Sequence, residues 1–155
     1  MITDSDFVVL ASEFVLGMIA PSNIVDWASE RVALNDEVLG LAMLPRTASV
    51  EEVSGALAKV LANRELEVPT WSCAAKFAAM EITSAMVAGA MEGIEGARRL
   101  WSIARLEPSI EPEVRGFIGL ASEWEDDESH RIDYEQDIIT EAAVFLQRVI
   151  DEGSR

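Results

Sequence analysis

Few side chains in this sequence could do covalent or metal chemistry, and their spacing limits what that chemistry is. There is one cysteine, Cys73, and one histidine, His130, far apart in the chain. A thiol nucleophile needs a base beside it, most often an imidazole. Cys73 instead lies among Trp71, Ala74, Ala75 and Phe77, where a small buried hydrophobe is the expected reading. A single histidine excludes a catalytic zinc site built on histidines and the paired Glu-x-x-His motifs of a carboxylate-bridged di-iron bundle. No G-x-S-x-G elbow, P-loop or dinucleotide fingerprint occurs. Gly89, Gly93 and Gly96 are spaced for helix ends or close helix packing rather than a phosphate cradle. The remaining acid–base layout is a buried carboxylate pair, for example Glu81 with a second acid. The competing reading puts Glu81 at the edge of an apolar helix, salt-bridged to Arg98 or Arg99. No catalytic residue, metal ligand or cofactor is assigned, and the chain is expected not to be an enzyme.

The charge has a clear focus. Between Glu107 and Asp137 there are eleven acids: Glu107, Glu111, Glu113, Glu123, Glu125, Asp126, Asp127, Glu128, Asp133, Glu135 and Asp137. Only Arg115 and Arg131 oppose them, a local charge of −9 within a chain total of −16. The centre is Glu123-Trp124-Glu125-Asp126-Asp127-Glu128. A calcium loop of the EF-hand type needs alternating oxygen ligands and a glycine at its sixth position, whereas these acids are consecutive and the glycine is missing. Two readings stay open: a solvated polar loop, or a contact surface for a basic partner. Dense like charge is relieved by a cationic partner, and it speeds encounter. For the second reading the candidate partner-binding residues are Glu123, Trp124, Glu125, Asp126, Asp127, Glu128 and Asp133. Trp124 anchors such a surface if exposed; its spacing from Phe117 and Leu120 equally suits a core position.

Composition excludes other classes. Twenty-eight acids against 12 bases would repel nucleic-acid phosphates and an anionic membrane surface. Half the residues are hydrophobic, too many for a disordered acidic tail. A chain of about 150 residues buries roughly 68–70% of its unfolded surface and folds without staples. One cysteine forms no intramolecular disulfide, which fits a reducing compartment. The acidic start, Met1 to Asp6, is unlike a signal peptide, so a cytoplasmic location is expected.

The elements that must position these residues read as helices. Phe7, Leu10, Phe14 and Met18 form one stripe. Pro21 ends or restarts that helix, and Ser22 is the expected cap of a second, Ile24 to about Leu34, with Ile24, Val25, Trp27, Ala28 and Val32 inward. Asn35 or Asp36 caps a short helix ending before Pro45. Ser49-Val50-Glu51-Glu52 is a capping box ahead of Val53, Leu57, Val60 and Leu61. Thr70 caps a long helix, Trp71 to about Met91, apolar on nearly all sides and therefore expected at the centre of a bundle. Ile94 to Leu106 follows, then a linker, Glu107 to Pro112. Pro112 suits the start of a helix holding Val114, Phe117, Ile118, Leu120, Ala121 and Trp124. A polar run, Glu125 to Asp133, leads to a last helix from about Tyr134 to Ile150, whose stripe is Ile138, Ile139, Ala142, Phe145, Leu146 and Val149. The expectation is all-α: one helical domain over residues 1–155, an irregular bundle of seven or eight helices, with a short solenoid-like stack as the alternative.

Two stretches carry a family resemblance. Ser22-Asn23-Ile24-Val25-Asp26-Trp27-Ala28-Ser29-Glu30-Arg31-Val32 resembles an early helix of the small helical immunity proteins of bacterial polymorphic and contact-dependent toxin systems. Phe117-Ile118-Gly119-Leu120-Ala121-Ser122-Glu123-Trp124-Glu125-Asp126-Asp127, with the last helix, is similar to their C-terminal part. The resemblance spans Pro21 to Leu146. It implies a non-enzymatic protein that binds one cognate toxin, often basic, and occludes or distorts its active site, with the acidic run as the natural contact. The alternatives are an acidic secretion chaperone or helical adaptor, for which a homodimer is expected, and an enzyme with carboxylates buried in a cleft.

Overall fold

A computed structural model describes residues 1–154. Among them are eight α-helices, three short 3-10 turns and no strand: α1 (Asp4–Val15), α2 (Pro21–Arg31), α3 (Leu39–Ala42), α4 (Val50–Asn63), α5 (Trp71–Val87), α6 (Gly93–Leu106), α7 (Glu111–Asp126) and α8 (Arg131–Gly153). The all-α class is as expected. The chain packs as two compact units that divide within α5, Met1–Ala74 and the chain from Ala75 onward.

In the first unit the local capping chemistry fixes where helices begin. The Ser49 hydroxyl accepts from the Glu52 amide at 3.1 Å, and the Glu52 carboxylate accepts from the Ser49 amide at 3.0 Å. Thr3 and Asp6 make the same reciprocal arrangement at the start of α1. Asn35 accepts from the Glu37 amide and starts the 3-10 turn Asp36–Val38. Two expectations are corrected. Ser22 is not the cap of α2: Pro21 is its first residue, and Asn23 reaches back to accept from the Ala20 amide at 2.9 Å. Met18 does not extend the α1 stripe, because Gly17 turns into the left-handed region at φ 71° and the Met18 amide closes back on the Glu13 carbonyl. Glycine meets no Cβ penalty there.

The core of this unit gathers Phe7, Leu10 and Phe14 of α1, Ile24, Val25 and Ala28 of α2, Val38, Leu41, and Val53, Leu57, Val60 and Leu61 of α4. Phe7 meets Trp27 edge-on at 5.5 Å, a favoured arrangement of the two ring quadrupoles. Arg64 closes the unit: it bonds Glu37 at 2.5 and 2.8 Å, Asp4 at 2.6 Å and the Ile2 carbonyl at 3.1 Å. This fork of donors holds the Glu37 carboxyl below the usual carboxylate range, helped by Asn35.

Helix α5 is not the all-round buried rod that its composition suggests. Ala74, Ala75, Ala78, Ala79, Ile82, Thr83 and Met86 are buried, whereas Cys73, Lys76, Phe77, Glu81, Ser84 and Val87 are exposed. A helix buries a stripe, and here the buried stripe is made largely of alanines, so the larger apolar side chains are left on the open face. Cys73 is therefore exposed rather than a buried hydrophobe. Thr70 caps α5 as expected, accepting from the Cys73 amide at 3.2 Å. The helix stops at Val87, short of Met91, where Gly89 adopts φ 76°.

In the second unit α6 packs on α7, α7 on α8, and α8 also on α6. Ile94, Ala97, Leu100 and Ile103 meet Val114, Phe117 and Ala121 of α7 and Ile138, Ala142 and Phe145 of α8 as the buried faces of these helices. The Phe117 and Phe145 rings are 6.3 Å apart, again edge-on. Gly96 leaves room for Met86, whose sulfur would lie 2.2 Å from an added Cβ.

Candidate functional site

The polar run Glu125 to Asp133, for whose acidic part a solvated loop is one of the open readings, is largely helical. Helix α7 continues through Asp126, a 3-10 turn occupies Glu128–His130, and α8 starts at Arg131. Nothing between Glu123 and Arg131 is a proline or glycine, so helical geometry persists with only Asp127 breaking it, at φ −127°, ψ 84°.

This places Glu123, Glu125 and Asp126 on the last turn of α7, which carries no basic residue. The C-terminal end of a helix is its negative pole, and carboxylates there are disfavoured. Two arginines answer them. Arg98 of α6 bonds Glu125 at 3.0 and 3.2 Å. Arg131 donates to the Trp124 carbonyl at 3.0 Å, satisfying an orphan acceptor of the helix end, and lies 3.7 Å from Glu128. Both guanidiniums also approach the Trp124 ring, Arg131 at 4.1 Å and Arg98 at 5.4 Å. Trp124 is half-buried, neither a free anchor nor a core residue: its π-face serves the protein's own cations.

Asp127 gathers Ser129 and His130 Nδ1, each at 2.8 Å, and Tyr134 at 3.4 Å. The Ser129 bond, then those of His130 and Tyr134, hold the Asp127 carboxyl below the usual range. Desolvation first, then the Asp127, Glu123 and Asp133 charges, push the Tyr134 phenol up. Of the seven candidate residues, Glu125, Asp127 and Glu128 are thus engaged internally, while Glu123, Asp126 and Asp133 make no ion pair among the described residues. The seven lie together along the α7–α8 junction.

Two features here escaped sequence reasoning. Glu135 is the remote cap of α6: its carboxylate accepts from the amides of Gly93 and Ile94, the latter at 3.0 Å. Beside it, Ile94, Trp124, Arg131, Ile132 and Glu135 border an open groove of about 470 Å³. Ile132 stands 79% exposed at its edge. Ile132 falls outside the α8 stripe of Ile138, Ala142 and Phe145, which is the signal that could have marked it.

The remaining chemistry is sparse. Glu81 is exposed and pairs with neither Arg98 nor Arg99, which bond Glu125 and Glu95. The buried polar residues described are Ser12 and Thr83, each donating its hydroxyl to a carbonyl of its own helix. Among the described residues no group of three or more His, Cys, Asp or Glu side chains is arranged to hold a metal ion. No helix is long and apolar enough to cross a membrane. Comparison with known proteins yields no match: no family model fits the chain, and no curated protein or solved structure is detectably similar to it.

Proposed function

We propose that this chain is a non-enzymatic immunity protein that neutralises a basic bacterial toxin domain in the cytoplasm, meeting it at the α7–α8 junction. The observation that carries this reading is the placement of Glu123, Glu125 and Asp126 on a helix end that disfavours them, with Glu123, Asp126 and Asp133 making no ion pair among the described residues. A cationic surface relieves that arrangement and gains association rate from it. The sequence resemblance over Pro21 to Leu146 points the same way. The test is gel filtration and stopped-flow binding with toxin domains encoded beside this chain. The expected result is a complex at low salt whose association rate falls as ionic strength rises, and falls further in the E123Q/D126N/D133N triple variant. Absence of a complex at low salt with every such domain refutes the proposal. A second reading, an acidic secretion chaperone or adaptor, is favoured by the exposure of Leu34, Met43, Ile132 and Ile150; it expects binding of unfolded apolar segments with little salt dependence.

A further inference from the structure

The open face of α5 has a spacing that the acidic surface does not use. Phe77, Met80, Ser84 and Val87 follow one another at intervals of three, four and three residues, and Cys73 precedes Phe77 by four on the same helix. This is the 3–4 alternation of a coiled-coil seam, in which core positions recur every 3.5 residues on average. Phe77 is 39% and Val87 46% exposed, Cys73 and Ser84 are exposed, and Met80 is partly so. Burying such a stripe lowers free energy in proportion to the apolar area removed from water.

The flanks say what covers it. With Phe77 and Ser84 at a positions and Met80 and Val87 at d, Lys76 falls at g and Glu81 at e. Five residues separate them, too far round the helix to pair within one chain. In a parallel two-stranded coil, however, g of one helix lies beside the following e of the other, and these charges set partner and orientation. A two-fold axis then supplies the pair twice, Lys76 to Glu81 of the second copy and the reverse. Among the described residues Glu81 has no ion pair, and Lys76 has only a loose one, 3.7 Å from Glu113, which leaves ammonium protons for a second carboxylate.

We propose that α5 is a self-association helix, joining two copies of the chain in parallel along Phe77, Met80, Ser84 and Val87. Even counted from Cys73 to Val87 the seam is little over two heptads long, so the dimer is weak and concentration-dependent. The inference is independent of the toxin-binding reading, since it uses a different helix and needs no partner protein.

Sedimentation equilibrium of the full chain reads it directly, with an expected mass rising with concentration to twice 16.9 kDa. Lys76→Glu places like charges together twice and is expected to weaken association about tenfold or more. The K76E/E81K double variant restores it. Both positions are exposed, and circular dichroism checks that the fold is kept. In a parallel seam Cys73 faces Cys73 of the second copy within disulfide reach. Diamide, which takes up the two electrons and two protons, is therefore expected to give a covalent dimer. A chain that stays monomeric to about 1 mM, a dimer indifferent to K76E, or a dimer whose Cys73 does not bridge each overturns the proposal.

Discussion

Glu135 offers the sharpest test of how this acidic chain uses its charge. Sequence places it inside the −9 segment, as one more surface carboxylate. In the structure its carboxylate accepts from the Gly93 and Ile94 amides, at the first two positions of α6. The residue before them, Glu92, provides no side-chain cap. Removing the Glu135 carboxylate therefore leaves two orphan donors at a positive helix pole. Loss of a cap costs about 0.5–2 kcal/mol, and loss of a carboxylate from the dipole's positive end about 0.3–1 kcal/mol more, so E135A, which frees two amides, is expected to destabilise by about 2 kcal/mol. For a chain of 155 residues that corresponds to a fall in melting temperature of about 4–8 °C. E135Q keeps an acceptor but loses the charge, and should fall about halfway. The control is D126N, which removes the same charge from a side chain without such a partner and should stay within about 0.5 kcal/mol of the parent. Because E135Q and D126N each remove one negative charge, their difference isolates the charge-dependent part of the cap. Urea unfolding followed by circular dichroism gives the energies, and hydrogen exchange at the Gly93 and Ile94 amides gives the location. If E135A and D126N are equally stable and exchange at those amides is unchanged, the capping argument is wrong.

Two further substitutions probe the first unit. Gly55 sits within α4, and an added Cβ there meets nothing within 4 Å, so G55A should raise stability by about 0.5–1 kcal/mol; a drop in thermal midpoint would contradict the open space. Glu37 has its pKa lowered chiefly by Arg64, so its contribution is complete above the unfolded carboxylate value of about 4.3 and is lost as pH falls through the lower folded value. The stability gap between the parent and E37Q should accordingly hold constant from neutral pH to about 5 and close in acid, which urea titrations at stepped pH would show; a gap that widens in acid would reverse the assignment.

What the sequence made legible was local. The Ser49–Glu52 box, the Asn35 and Thr70 caps, and the stripes of α4 and α8 depend on residues a few positions apart. The misses depend on contacts or phases that local patterns do not encode. Counting apolar residues put α5 at the centre of a bundle, but burial follows the phase of its alanines, and that exposes Cys73 and Phe77. The Arg98 bond to Glu125 and the Glu135 cap of α6 join residues 27 and 41 or 42 positions apart. Ser22 lost the cap of α2 to Asn23 because Pro21 already fits the first helical position.

The same contacts change what the acidic segment can offer a partner. Glu111 and Arg115 form a pair on α7, Glu113 leans toward Lys76, Arg98 takes Glu125, and Glu135 is committed to α6. Beyond a Debye length of about 8–10 Å the ion pairs cancel, whereas Glu135, bonded only to amides, keeps its charge; at the α7–α8 junction the acids without an ion pair among the described residues are Glu123, Asp126 and Asp133. Trp124 is a poor anchor in this setting. A partner cation seeking its face would have to displace Arg131 or Arg98, each of which also holds a helix-end oxygen or a carboxylate, and would forfeit those bonds for one cation–π contact worth about 0.5–1 kcal/mol at an exposed site. Ile132 has no such competitor. It stands open beside the groove that Trp124 and Ile94 line, and burying it would require no existing contact to break. In the proposed complex, therefore, the unpaired acids govern the rate of encounter, and the apolar hold belongs to Ile132 rather than to the tryptophan that the sequence puts forward.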